Sequence, residues 1–87
     1  MSNLAGIILI TRAMSEVSRA WESAWWPRAQ SALQNLISYD LFPDITSLAN
    51  DILNPTPNPE PMAKRVRVFL KAGAEAVHLL AGRIEDK

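Results

Sequence analysis

The chain has 87 residues, which is enough for one domain and too few for a second hydrophobic core, so we expect a single domain over residues 1–87. Hydrophobic residues make up 48% of it, which argues against a disordered chain, and the lack of cysteine excludes disulfides and thiolate metal ligands. Nine basic residues balance nine acidic ones, so no net charge draws the chain towards nucleic acid or an anionic membrane.

A first helix is predicted from about residue 3 to residue 26, because apolar residues recur there at alternating spacings of three and four. We expect this apolar seam to pack against another helix, with Met14, Val17 and Trp21 buried together. The opposite side should be a solvated face on which charged residues pair one turn apart. The seam comprises Ile7, Ile10, Met14, Val17, Trp21 and Ala24, with Trp25 in the same arc, and the polar side comprises Arg12, Glu16, Arg19 and Glu22.

Pro27 must end or kink this first helix, because it has no amide hydrogen and disfavours helical angles at Trp26. We favour a break, with a second helix over residues 27–39 that begins at Pro27. Ile8 and Trp26 project towards the polar side. Tryptophan is enriched at binding hot spots, so Trp26 is a candidate partner-binding residue, and the alternative is that the bend folds it into the core.

The segment from Tyr39 to Pro43 is predicted to be a connection, because Pro43 cannot extend the preceding helix. Asp44 is a candidate N-cap for a short third helix over residues 44–53, since its carboxylate can accept hydrogen bonds from free amides. Prolines alternate with other residues over 54–61, which predicts a stiff, extended connector. The alternative is a ligand for an aromatic groove, although this sequence lacks the PxxP core that such grooves bind.

The last helix is predicted over residues 59–84, with Asn58 as its cap and Pro59 as its first residue. Gly73 interrupts its apolar stripe at a cost of about 1 kcal/mol in helix propensity relative to alanine, which indicates a close crossing with another helix. A second, minor apolar stripe flanks the first and is a candidate dimer or secondary surface. The main stripe is Met62, Val66, Phe69, Leu70, Gly73, Ala76, Val77, Leu80 and Ile84, and the minor stripe is Val68, Ala72 and Leu79.

Charge is distributed unevenly along the chain. Residues 41–61 contain three acidic residues and no basic one, whereas residues 62–87 contain six basic residues. We expect the acidic middle segment to face the basic last helix, because neighbouring elements usually pack together. The basic residues could also bind an acidic partner protein or the phosphates of a nucleic acid. This basic stripe consists of Lys64, Arg65, Arg67 and Lys71.

The sequence predicts no catalytic, cofactor or metal site. His78 is the only histidine, and Glu75 one turn before it supplies only a second potential ligand, whereas zinc needs three or four. Catalytic sets need several converging groups, and we find no such set. The apolar run Leu4–Ile10 is too short to cross a bilayer and lacks the features of a signal peptide. We therefore expect a non-enzymatic, cytoplasmic chain with no membrane partner.

Together these patterns predict an all-α bundle of two long antiparallel helices, residues 3–26 and 59–84, and two short ones, residues 27–39 and 44–53. The small size and the lack of covalent cross-links predict a homodimer. We expect an inhibitor, immunity or adaptor type of protein that occupies a surface of a partner protein. The alternatives are a nucleic-acid-associated regulator that uses the basic stripe and a membrane-surface module. The candidate partner-binding residues are Ile8, Trp26, Lys64, Arg67 and Lys71.

Overall fold

The computed structural model describes residues 3–57 and 59–85, with side chains up to residue 82. It contains four helices: α1 (Asn3–Ser23), α2 (Pro27–Tyr39), α3 (Pro43–Leu53) and α4 (Met62–Glu85). No strand occurs among the described residues. The prediction of an all-α bundle with two long and two short helices is confirmed.

Successive helices run in alternating directions. Gly6 near the start of α1 lies against Leu80 near the end of α4 and against Phe42, which precedes α3. At the opposite end, Trp26 and Met62 line one small cavity together with the last residues of α3. α1 packs on α2 and α4, and α3 packs on the same two helices. The two long helices are therefore antiparallel neighbours, as predicted.

The predicted break between α1 and α2 is confirmed, but α1 ends three residues earlier than expected. Ala24 adopts a left-handed backbone with φ of 59°, which terminates the helix after Ser23. The Ser23 hydroxyl accepts a hydrogen bond from the Trp25 amide at 3.3 Å. Pro27 then starts α2, where its missing amide hydrogen leaves no helical hydrogen bond unmade.

The start of α3 differs from the prediction by one residue. Pro43 is the first residue of α3, and Phe42, with an extended backbone, occupies the cap position without a side-chain cap hydrogen bond. Asp44 lies inside the first turn, so its prediction as the N-cap is wrong. Its carboxylate still lies at the positive end of the helix, where a negative charge is favourable.

The start of α4 also differs, because the helix begins at Met62 rather than at Pro59. A residue that precedes a proline is disfavoured in helical geometry, and this excludes Glu60, which precedes Pro61. The carbonyl of Pro61 accepts the first backbone hydrogen bonds of α4. Asn58, the predicted cap, lies outside the described residues, as does the side chain of Ile84.

The core contains many small side chains. Val17 is fully buried, as predicted, but Trp21 is 48% exposed and Trp25 is 65% exposed, so their predicted burial is wrong. Four of the buried positions of α1 and α2 are alanines, whose small side chains allow the two helices to approach closely, and the bulkier Trp21 lies outwards. The buried core is Ile10, Ala13, Val17, Ala20, Ala29, Ala32, Leu33, Leu36, Ile45, Ala49, Ile52, Val66, Phe69 and Leu80.

Glu16 lies on the buried side of α1 rather than on the solvated face where the sequence analysis placed it. It is only 9% exposed, and its carboxylate lies 3.5 Å from Nε of Arg28, whose own side chain is mostly exposed. The salt bridge spans the junction at which α2 folds back along α1. The burial of Glu16 and the exposure of Trp21 therefore show the same thing: α1 is rotated about its axis relative to the prediction from the sequence.

Gly73 lies at the close crossing that the sequence predicts. A Cβ at this position would lie 2.8 Å from Sδ of Met14 and 3.3 Å from Cγ2 of Ile10. Both distances are below ordinary van der Waals contact, so the missing side chain of Gly73 sets the separation of α1 and α4.

The Gly73 contact predicts a pair of stability measurements. Gly73→Val should destabilise the fold by about 1–3 kcal/mol, because the added carbons meet Met14 and the fully buried Ile10. Gly82→Val is the matched control, since a Cβ there meets nothing within 4 Å. Urea unfolding followed by circular dichroism measures both, and equal stability of the two variants would contradict the close crossing.

The rotation of α1 about its axis predicts a second pair of stability measurements. Val17→Asp should destabilise the fold by about 3 kcal/mol or more, because it places an unpaired charge in the core. Arg19→Ala, on the exposed side of the same helix, should change stability by less than about 0.5 kcal/mol. Thermal melts of both variants test this, and similar losses would mean that α1 is rotated differently.

Candidate interaction surface

The outer side of the α1–α4 pair carries a shallow, open groove. Its volume is about 680 Å³, and it runs between the two long helices on the side that faces away from the core. Met14, Leu70 and Val77 provide its large apolar side chains. We call this surface the open face, and its groove is lined by Thr11, Met14, Ser15, Ser18, Leu70, Ala74, Val77, His78 and Ala81.

Small residues make this surface concave. Ser15 and Ser18 on α1, and Ala74 and Ala81 on α4, reach only a short distance above the helix backbones. They leave space above Met14, whose side chain already packs on Gly73 below. The groove is therefore a consequence of the same close contact that joins α1 to α4.

Large apolar side chains extend the open face along α1 in both directions. Ile8 is 57% exposed and lines a second depression of about 360 Å³ with Thr11, and Leu4 lies one turn before it. Trp21 follows Ser18 by three residues and continues the α1 wall at the other end. Exposed apolar side chains beside a depression are one feature of binding sites.

Charged residues border the groove on both helices. On α1, Glu22 follows Ser18 by four residues, which places it on the same side of the helix. On α4, Arg67 and Lys71 precede Ala74 by seven and three residues and lie along the outer edge. All three are exposed and form no ion pair among the described residues.

The predicted partner-binding residues do not all lie together. Ile8 belongs to the open face, and Arg67 and Lys71 border it. Trp26 is half-buried and packs against the core at the far end of the bundle. Trp26 therefore contributes to the stability of the fold, and its contact with a partner stays a prediction.

The minor apolar stripe of α4 lies on the other flank of that helix. Leu79 is 64% exposed, and Val68 lines a shallow depression beside Leu48 of α3, away from the groove. Ala72, between them in the stripe, is half-buried. The structure therefore separates this candidate dimer surface from the open face.

Two members of the basic stripe are engaged within the chain. Nε of Arg65 donates to the Glu60 carbonyl at 2.7 Å, and its Nη1 donates to the Asp51 carbonyl at 2.8 Å. Nζ of Lys64 lies 3.5 Å from the Glu60 carboxylate. The middle segment packs on the last helix, as predicted, but of its three acidic side chains only that of Glu60 pairs with a basic residue among the described residues. Arg65 ties the connector and the end of α3 to α4 through backbone carbonyls.

The described residues include no group of three or more His, Cys, Asp or Glu side chains that could hold a metal ion. His78 lines the groove, but no carboxylate lines it to orient the imidazole ring. Within the same part of the chain, no helix is both long and apolar enough to cross a membrane.

The groove residues Ser15, Ser18, Ala74 and Ala81 could not be identified from the sequence, because small uncharged residues carry no strong signal. One signal was available: Ile7, Met14 and Trp21 recur at a spacing of seven beside the core residues, so the apolar arc of α1 is wider than a single helix contact requires.

Comparisons with protein-family models, with curated proteins and with solved structures return no match for this chain.

The hydrogen bonds of Arg65 predict a stabilising role for this residue. Arg65→Ala should destabilise the fold by about 1–2 kcal/mol, because two hydrogen bonds from a charged donor to backbone carbonyls are lost. Arg67→Ala, at an exposed position two residues away, is the control and should change stability by less than about 0.5 kcal/mol. Urea unfolding measures both, and an unchanged midpoint for Arg65→Ala would contradict its anchoring role.

Proposed function

We propose that this chain is a small non-enzymatic interaction protein of the inhibitor, immunity or adaptor type, which acts in the cytoplasm by occupying a surface of a partner protein. The observation that carries this proposal is the groove of about 680 Å³ between the two long helices. Its walls are helical and its lining is mainly apolar, so it suits the side chains along one face of another helix.

The chemistry of the open face defines the kind of segment that it fits. Met14, Leu70 and Val77 would contact apolar residues spaced by three and four on the bound helix. Arg67 and Lys71, along the α4 edge, favour acidic residues on the flank of that helix. An amphipathic helix with an acidic flank is therefore the expected ligand.

The nucleic-acid alternative has weaker support. Arg65 is held by two carbonyls and Lys64 lies beside a carboxylate, so only Arg67 and Lys71 of the basic stripe have no such partner among the described residues. Neutralising two phosphates provides little affinity at physiological salt. A membrane-surface role has no further support, because the open face carries Glu22 as well as basic residues.

A capture experiment tests the proposed function. Ser15→Glu places a charge within the groove, whereas Ser31→Glu makes the same change at an exposed position of α2. The tagged wild-type chain and the tagged Ser31→Glu variant should capture a partner from a native extract, whereas the tagged Ser15→Glu variant should not. Capture should be lost because binding would remove the introduced carboxylate from water without giving it a positively charged partner, which is costly in free energy.

Circular dichroism melts of both variants should match the wild type, since both positions lie outside the core. Equal capture by all three chains would show that the open face does not bind the partner.

A further inference from the structure

We infer that a second copy of this chain occupies the open face, with α1 of each copy packed across α4 of the other around a two-fold axis parallel to the helices. This inference rests on the proposed function, because it takes the open face as a binding surface and names a second copy of the chain as its occupant. Partner binding and self-association then use one surface and exclude each other.

The size of the open face fits an interface between two copies. The 21 residues of α1 form a helix about 31 Å long, and two neighbouring helices are about 20 Å wide, so each copy can cover about 600 Å². Two copies would bury about 1200 Å², which is the lower bound for specific protein interfaces. An interface of this size predicts a reversible, concentration-dependent dimer.

The antiparallel arrangement of α1 and α4 makes the face self-complementary. Rotation by 180° about an axis that lies between and parallel to them places α1 of one copy over α4 of the other at the same height. The contacts of Gly6 with Leu80 and of Met14 with Gly73 define which residues share a height. Ile8 of one copy would therefore lie near Val77 of the other, where its exposed side chain becomes buried.

The charges on the borders of the groove match in the same arrangement. Glu22 near the end of α1 and Arg67 near the start of α4 lie at the same end of the bundle. The rotation therefore places Glu22 of each copy beside Arg67 of the other, and the pair occurs twice in the dimer. Rotation about an axis perpendicular to the helices would instead place α1 on α1 and separate these charges.

Sedimentation equilibrium of the full chain tests the dimer. The wild type should show twice the chain mass of 9.7 kDa at high micromolar concentration. Ser15→Lys should weaken self-association at least about tenfold, because Ser15 of one copy lies level with Lys71 of the other and the substitution brings two positive charges together in the interface, and Ser31→Lys should leave it unchanged. A wild type with the single-chain mass at every concentration, or equal effects of the two variants, would overturn the inference.

A charge exchange tests the arrangement of the two copies. Glu22→Arg and Arg67→Glu should each weaken the homodimer, because each creates like-charged neighbours. An equimolar mixture of the two variants should form a mixed dimer at least about tenfold more tightly than either variant alone, since every pair then joins an acid to a base. A mixture that associates no better than its components would overturn the proposed arrangement, and a contact within one chain could not produce the rescue.

Combining these data with the capture experiment separates the two proposals. If the wild type is monomeric while Ser15→Glu still abolishes partner capture, the inference fails and the proposed function stands. If the wild type dimerises and Ser15→Lys disrupts the dimer while Ser15→Glu leaves capture unchanged, the dimer stands, but the proposed binding of a partner at the open face fails and with it the shared use of one surface.

Discussion

The contact between Gly73 and the side chains of Met14 and Ile10 is the constraint on which the rest of the structure depends. A Cβ at Gly73 would overlap with Met14 and lie tightly against Ile10, so glycine permits the separation at which α1 and α4 pack. Ile10 lies on the core side of this contact, and Met14 lies on the side of the groove. The contact thus fixes the rotation of α1, and this rotation decides which of its apolar residues are buried.

The core and the open face are two consequences of that rotation. Small residues such as Ala13 and Ala20 turn inwards, where they allow α1 and α2 to approach, and the larger Trp21 remains half exposed. Exposed apolar side chains contribute little to the stability of an isolated domain, but in an interface they become the residues that contribute most to binding. The proposed function gives a physical reason for this distribution of large and small side chains, because it assigns the exposed apolar ones to the binding of another polypeptide.

Much of the fold could be predicted from the sequence, and the rotation of α1 could not. The helix periodicity, the break before Pro27 and the close crossing at Gly73 are local signals, and the structure agrees with each. The apolar arc of α1 is wider than one contact, so periodicity alone could not decide whether Val17 and Ala20 or Met14 and Trp21 face the core. The bulk of Trp21 suggested burial, whereas the packing of helices favoured alanine. The groove was missed for the same reason, since it exists only once that rotation is known.

Solvent accessibility of individual methyl groups tests the central claim most directly. Nuclear magnetic resonance of the methyl-labelled chain, at a concentration low enough to keep it monomeric, can be recorded with a soluble gadolinium chelate. The account predicts strong relaxation enhancement at the methyl groups of Met14, Leu70 and Val77 on the open face. The methyl groups of the buried Ile10, Val17 and Leu33 should be protected. Equal protection of the two sets would contradict the rotation of α1 and the existence of an open face.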